Sequence, residues 1–231
     1  MSPSPRKEKQ RDSTREEIKT AAWGLLAAGG VEALSLNAIA RQMGVTTPAL
    51  YRYFNDRADL LAALAADAYA SLAADLEAAC AGCQAGDFAG RLRAAGLTYR
   101  EWALANPERY RLIFGSSQPG LPLPTEAGQQ ADRSFLILLN ILGEAQQTGK
   151  IRLPAGYPSP SPALLDHLQA LSRKGTGYDP GVFLLALALW SKIHGLTSLE
   201  IYGKTGYLLG EERAEFFRAE LAYFLATIGL E

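Results

Sequence analysis

This 231-residue chain has few of the residues that build metal centres or disulfide frameworks: two cysteines and two histidines. Cys80 and Cys83 stand together as C-A-G-C, with no second pair and no histidine beside them. Tetrahedral zinc needs four ligands, so this pair alone does not define a zinc site. The plain reading is two small residues near a helix end in a reducing compartment; a redox switch is the alternative. No apolar run is expected to reach the ~18 residues of a membrane span. The N-terminal MSPSPRKEKQRDSTREE is basic and leads into a charged helix, so no signal peptide is expected and the protein reads as cytoplasmic, with no membrane partner. No nucleophile–base–orienter set, phosphate loop or metal motif is visible. That argues against an enzyme and calls for no cofactor and no metal. Internal repeats and strand-period segments are lacking too, which leaves an all-α chain.

A dominant charge is also missing. There are 23 Lys and Arg against 24 Asp and Glu, a net charge of −1. The distribution says more. Residues 1–60 hold nine cations against seven anions, net +2, and the remaining 171 residues hold 14 against 17, net −3. Residues 1–12 read as a flexible basic arm, with Arg6, Lys7, Lys9 and Arg11 against Glu8. Such an arm can add phosphate contacts or reach a minor groove, or it can be a solvated tail.

What the chain does have is concentrated in residues 34–60, LSLNAIARQMGVTTPALYRYFNDRADL. Ser35 is a good N-cap. Leu36, Ile39, Ala40 and Met43 follow at helical spacing as a narrow apolar stripe. Gly44 suits the left-handed conformation that ends a helix. Val45 reads as the apolar plug of a turn. Thr46 is placed to cap a second helix, and Pro48 falls in its first turn. Leu50 and Phe54, four apart, face inward together. Thr47, Pro48, Tyr51, Arg52 and Asn55 then point away from the core. Two short helices with such an outward face are suited to a DNA major groove.

The rest reads as helices. Ser13-Thr14-Arg15-Glu16 has capping-box spacing and is expected to start the first helix, which Gly29-Gly30 ends. Asp59 is expected to start a long alanine-rich helix from Leu60 to about Ala79. Further helices are expected at Leu92–Ala105, Thr125–Gln147 and Pro162–Leu171, with QPGLPLP and YPSPSP as loops. FLLALALWSKIHGLTSLEIYG is apolar nearly all round, and FFRAELAYFLATIGL carries a broad stripe. A helix apolar on several faces must be buried on several faces, so a second copy of the chain is an expected partner. Leu221 and Phe224 are candidate interface positions. The domain reading is an arm at 1–12, a three-helix helix-turn-helix domain at 13–58, and a helical bundle for ligand binding and dimerisation at 59–231.

The run AIARQMGVTTPALYRYFNDRADLLAAL resembles the DNA-binding domain of the TetR family of bacterial transcriptional regulators. Ile39-Ala40, Gly44-Val45, Leu50-Tyr51, Phe54 and a basic residue at 57 carry the resemblance. Trp190, His194 and Gly195 resemble the WHG-type C-terminal domain of one branch of that family. Two departures stand out: Arg57 occupies a place where Lys is usual, and Tyr53 one where His is common. The resemblance implies a homodimeric, ligand-responsive repressor on a palindromic operator. Thr46, Tyr51, Tyr53 and Arg57 would bond phosphates, while Thr47, Pro48, Ala49 and Arg52 would face base edges.

Helical bundles hold ligands between helices. The candidates for a small apolar or aromatic effector are Tyr99, Trp102, Phe114, Phe135, Leu139, Trp190 and His194. Each also has a plain reading as core, and a buried neutral histidine can simply satisfy a carbonyl. The competing function is a helical small-molecule carrier or enzyme whose N-terminal helices are structural.

Overall fold

A computed structural model describes residues 5–115, 125–152 and 160–230. Eleven α-helices follow one another among the described residues, with no strand. They are α1 (Pro5–Gly29), α2 (Leu36–Met43), α3 (Thr47–Leu50), α4 (Arg57–Ala81), α5 (Phe88–Ala105) and α6 (Pro107–Phe114), then α7 (Thr125–Gln147), α8 (Pro162–Lys174), α9 (Pro180–Ile201), α10 (Gly206–Leu209) and α11 (Arg213–Thr227). A single 3-10 turn, Val31–Ala33, joins α1 to α2. The QPGLPLP loop lies outside the described residues, as does the first half of YPSPSP.

Several boundaries differ from the sequence reading. The first helix does not start at Ser13 but reaches back to Pro5, so residues 5–12 of the expected arm are helical; residues 1–4 lie outside the described residues. The reason is local. Pro suits the first helical position, and the Arg, Lys, Glu and Gln that follow are straight-chain helix formers. The long helix begins at Arg57, not Asp59. Asp56 Oδ1 accepts the Asp59 N–H at 2.8 Å, and Asp59 Oδ2 reaches back to the Asn55 N–H at 2.9 Å, a reciprocal cap.

The chain divides into two compact units. One comprises Met1–Ala70 with Asn106–Gln129, the other Ser71–Ala105 with Gln130–Glu231. In the first, α1 packs on α2 and α6, and α2 on α3. Ile18, Ala22 and Leu26 of α1 meet Leu36, Ile39 and Ala40 of α2, Leu50 and Phe54, and Leu60, Leu61 and Leu64 of α4 in one buried cluster. Lys19 is buried among them but bonded to Glu16 at 2.7 Å and Asp67 at 2.6 Å. Burial opposes its charge; the bonds to Asp67 and Glu16 outweigh it and hold the ammonium above its ordinary pKa.

In the second unit, α9 packs on α5, α8 and α11, and α5 on α11. Gly96 permits that last approach: a Cβ there would lie 2.7 Å from Leu221 Cδ2 and 3.3 Å from Ile193 Cδ1. Leu221 is thus core, 2% exposed within its own chain, and not an interface residue. The apolar side chains that α11 leaves open are Phe216 and Tyr223; α9 leaves Leu187 and Leu199 open. The expectation about apolar runs also needs correction. By length and composition α9 is long and apolar enough to cross a membrane: an 18-residue stretch of it has a mean hydropathy of 1.5, and 39% of that stretch is buried. Its contacts with α5, α8 and α11 account for its apolar character, because a helix enclosed on several sides must be apolar on several sides.

Candidate functional site

The outward-facing element at residues 35–57 is assembled by short-range bonds. Ser35 Oγ accepts the Ala38 N–H at 3.1 Å, starting α2. Gly44 ends it at φ 68°, and its N–H bonds back to Ala40 O and Arg41 O. A side chain in that conformation costs about 1–2 kcal/mol, which explains the glycine. Val45 does not plug the turn; it is 41% exposed. Thr46 does not cap α3 through its side chain. Instead the Ala49 N–H bonds to Thr46 O at 2.9 Å. The helix is short: Thr47–Leu50 is α-helical, and residues 51–53 continue as turn, closed by Tyr53 N–H and Phe54 N–H on Leu50 O at 2.9 and 3.1 Å.

Leu50 and Phe54 are buried, as their spacing requires. This turns Thr46, Pro48, Tyr51 and Arg52 to solvent, with Tyr51 55% exposed. Thr47 and Ala49 are half-buried, and Tyr53 packs, partly buried, against the core cluster. Arg57 is engaged differently from what was expected. Its Nε donates to Leu34 O at 2.8 Å and its Nη2 to Val31 O at 2.5 Å. The guanidinium therefore clasps the turn between α1 and α2, supplying a donor to Leu34 O and a second donor to Val31 O, which also accepts the Leu34 N–H at 3.2 Å. A phosphate contact can use only the protons that remain.

Two residues escaped the sequence reading. Asn37 Oδ1 accepts the Thr47 hydroxyl at 2.8 Å, tying α2 to α3 at the exposed face. Arg15 donates to Tyr53 O at 3.1 Å and lies 4.3 Å from the Phe54 ring centroid. A polar residue in the first turn of α2 was a usable signal for Asn37. Nothing local to Arg15 pointed to Phe54.

The candidate effector residues do not all fall together. Phe114 belongs to the first unit, where it packs edge-on against Tyr69 at 5.8 Å and tilted on Tyr110 at 5.0 Å. It does not join the other candidates, because α6 folds into the first unit. The others lie in the second unit. Tyr99 Oη is 2.9 Å from His194 Nδ1, and the His194 ring stacks on Trp190 with centroids 5.1 Å apart. Burial holds the His194 pKa below its ordinary value, so the imidazole is neutral at pH 7. Trp102 Nε1 donates to Ser71 Oγ at 3.1 Å. Leu139 is buried, and Phe135 is half-buried on the same helix. Below Tyr99, Arg100 makes a two-pronged bond to Glu200, at 2.7 and 2.6 Å, with both side chains nearly buried.

Comparison with known proteins agrees with this arrangement. Residues 18–64 match a family model described as bacterial regulatory proteins, tetR family, and residues 92–224 match one described as tetracyclin repressor-like, C-terminal domain. The HTH-type transcriptional regulators Rv1816 of Mycobacterium tuberculosis and Mb1846 of Mycobacterium bovis are each 31% identical over 225 residues, covering 95% of both chains. The chain belongs to the TetR family. Among solved structures, SCO4313 is 35% identical with a TM-score of 0.76, covering 97% of this chain and 100% of that one. A protein from Rhodococcus sp. RHA1 is 26% identical with a TM-score of 0.71, covering 93% and 95%. This TetR-family chain is a helix-turn-helix transcriptional regulator, all-α, with the reader at its N-terminal end and a helical domain after it.

Proposed function

We propose that the protein is a cytoplasmic homodimeric repressor that binds a palindromic operator and is released by a small apolar or aromatic effector. One observation carries the DNA part: Leu50 and Phe54 are buried while Thr46, Pro48, Tyr51 and Arg52 of the same short segment face solvent. Arg52 is the base-reading candidate, suited to a guanine, with Thr47, Pro48 and Ala49 beside it. Tyr51 and Thr46 are the phosphate candidates, with Tyr53 in support. Arg57 acts first as a positioning residue and only second as a phosphate donor. Two heads in successive major grooves would be ~34–36 Å apart.

The open apolar side chains of α9 and α11, Leu187, Leu199, Phe216 and Tyr223, support the homodimer. The effector site is assigned to the second unit alone, around Tyr99, Trp102, Phe135, Leu139, Trp190 and His194. The effector need favour the non-binding state by only a few kcal/mol to relieve repression. The family relation favours this reading over a carrier or enzyme.

Selection of bound sequences from a random duplex pool tests the proposal. The expected outcome is enrichment of a two-fold symmetric site whose affinity falls steeply with salt. Arg52→Ala then relaxes preference at one position per half-site, whereas Tyr51→Phe weakens all sites alike. No enrichment at low salt, with the chain folded, would overturn it.

A further inference from the structure

We propose that Cys80 and Cys83 form a dithiol–disulfide couple, oxidised by low-molecular-weight disulfides that enter the cleft both thiols line. Both cysteines are free and half-buried. They border one cleft of about 620 Å³ in the second unit, together with Glu77, Arg91, Asn140 and Glu144. The cysteines are one turn apart: the Cys83 N–H donates to Cys80 O at 3.2 Å. Turn residues so bonded have Cα atoms within about 7 Å, close to the range a disulfide spans.

Helix α4 ends at Ala81, so Cys83 lies beyond it and can rotate without breaking the helical ladder. The bonds the thiols now make are weak ones. Cys80 Sγ donates to Arg91 O at 3.6 Å and Cys83 Sγ to Ala79 O at 3.7 Å. A metal does not fit as well, because among the described residues no group of three His, Cys, Asp or Glu could hold one. The lining carries charges of both signs, Arg91 with Glu77 and Glu144, and a zwitterionic partner can exchange with the Arg91–Glu144 pair. Peptide-like thiol disulfides carry charges of both signs.

The chemistry proceeds by two exchanges. The Cys83 thiolate attacks one sulfur of the small disulfide. A mixed disulfide forms, the small S–S bond breaks, and one thiolate leaves and takes up a proton. Cys80 then gives its proton to solvent and attacks the Cys83 sulfur, expelling the second small thiol. Two protein thiols and one small disulfide become one protein disulfide and two small thiols, with two electrons passing outward. The surroundings favour that direction. Burial pushes the Cys80 thiol up, with Arg91 only partly opposing it, and the carbonyl end of a helix does not favour a thiolate. Strongly oxidising couples stabilise their reduced form as thiolate; Cys80 lacks that support.

The test uses the full chain and glutathione disulfide, read by intact mass and by maleimide trapping of free thiols. The parent is expected to lose both free thiols and two hydrogens per chain, without an adduct, faster as pH rises from 7 to 9, and to recover both with dithiothreitol. Cys80→Ser is expected to stop at a glutathione adduct on Cys83. A melting curve checks that Cys80→Ser folds; if it does not, the parent's mass still decides. A parent that keeps both thiols, halts at the adduct, or cross-links to a second chain overturns the proposal.

Discussion

The two units of this molecule are held by different kinds of polar contact. In the unit that carries the reader, the decisive bonds are short in sequence: Ser35 to Ala38, Asp56 to Asp59, Asn55 to Asp59, and Asn37 to Thr47 ten residues on. In the helical unit that follows, they reach far along the chain. Arg100 meets Glu200, Tyr99 meets His194 across 95 residues, and Arg91 meets Glu144 across 53. A surface that must present fixed groups to DNA gains from geometry set turn by turn. A domain that must respond to a ligand gains from pairs between helices, since a shift of one helix changes several at once. The first unit has long-range contacts as well: Arg15 and Arg57 tie distant backbone to the reader, Lys19 meets Asp67, and the Tyr69 hydroxyl donates to Ile113 O.

The sharpest way to break this comparison is to remove Arg100. Arg100→Met leaves Glu200 nearly buried and unpaired, with an expected loss of about 3–5 kcal/mol in chemical denaturation. The double variant Arg100→Met, Glu200→Leu should recover most of it, because the remaining buried charge is gone. A single-variant loss below ~1 kcal/mol would mean that the pair behaves like a surface bridge, and the contrast between the units would fail.

Next in size is Arg57→Ala. It removes two bonds from a charged donor to backbone carbonyls, so an expected ~1.5–3 kcal/mol of stability goes with it. The DNA salt slope should fall by less than about one unit. If stability is unchanged and the slope drops by a full unit, Arg57 is a phosphate contact and no clasp.

Ser35→Ala tests the local devices. It should cost about 1 kcal/mol, since the Ala38 N–H loses its acceptor at the start of α2. A threonine at 35 should restore most of it. No change in the denaturation midpoint would show that this cap does not govern the reader.

The smallest expected effect is a pH dependence in the second unit. Burial lowers the His194 pKa in the folded protein, so below the ordinary histidine pKa the unfolded chain binds the extra proton first. Stability from this group is therefore full above about pH 6.5 and declines as pH falls from there to the folded pKa. His194→Gln should remove that part of the slope in melting temperature between pH 7 and 5. An identical slope in both proteins would place the titration elsewhere.

Local rules made much of the reader legible. Ser35, Gly44 and the Leu50–Phe54 pair each act within a few residues, through a cap, a left-handed turn and a helical face. Local rules also misled where a short-range pattern had a long-range owner. Thr46 looked like a cap yet makes no side-chain cap bond, and Val45 looked like a plug yet is exposed, because α2 and α3 close on each other through Thr47 and Asn37. In the second unit, periodicity showed that α9 must be enclosed, but not by what. That Leu221 fills the space left by Gly96 was invisible, since it depends on how two helices distant in sequence meet.

By itself, then, the amino-acid sequence determined an all-helical chain, the place of its reader and the inward set of that reader's apolar residues, because helix periodicity, capping and glycine conformations are properties of neighbouring residues. The tertiary structure alone decided that Arg57 clasps Leu34 and Val31, that Phe114 joins Tyr69 and not Tyr99, and that the Tyr99 hydroxyl meets His194. Each of these joins residues far apart in the chain, and only the packing of whole helices around a shared core determines which of them can touch.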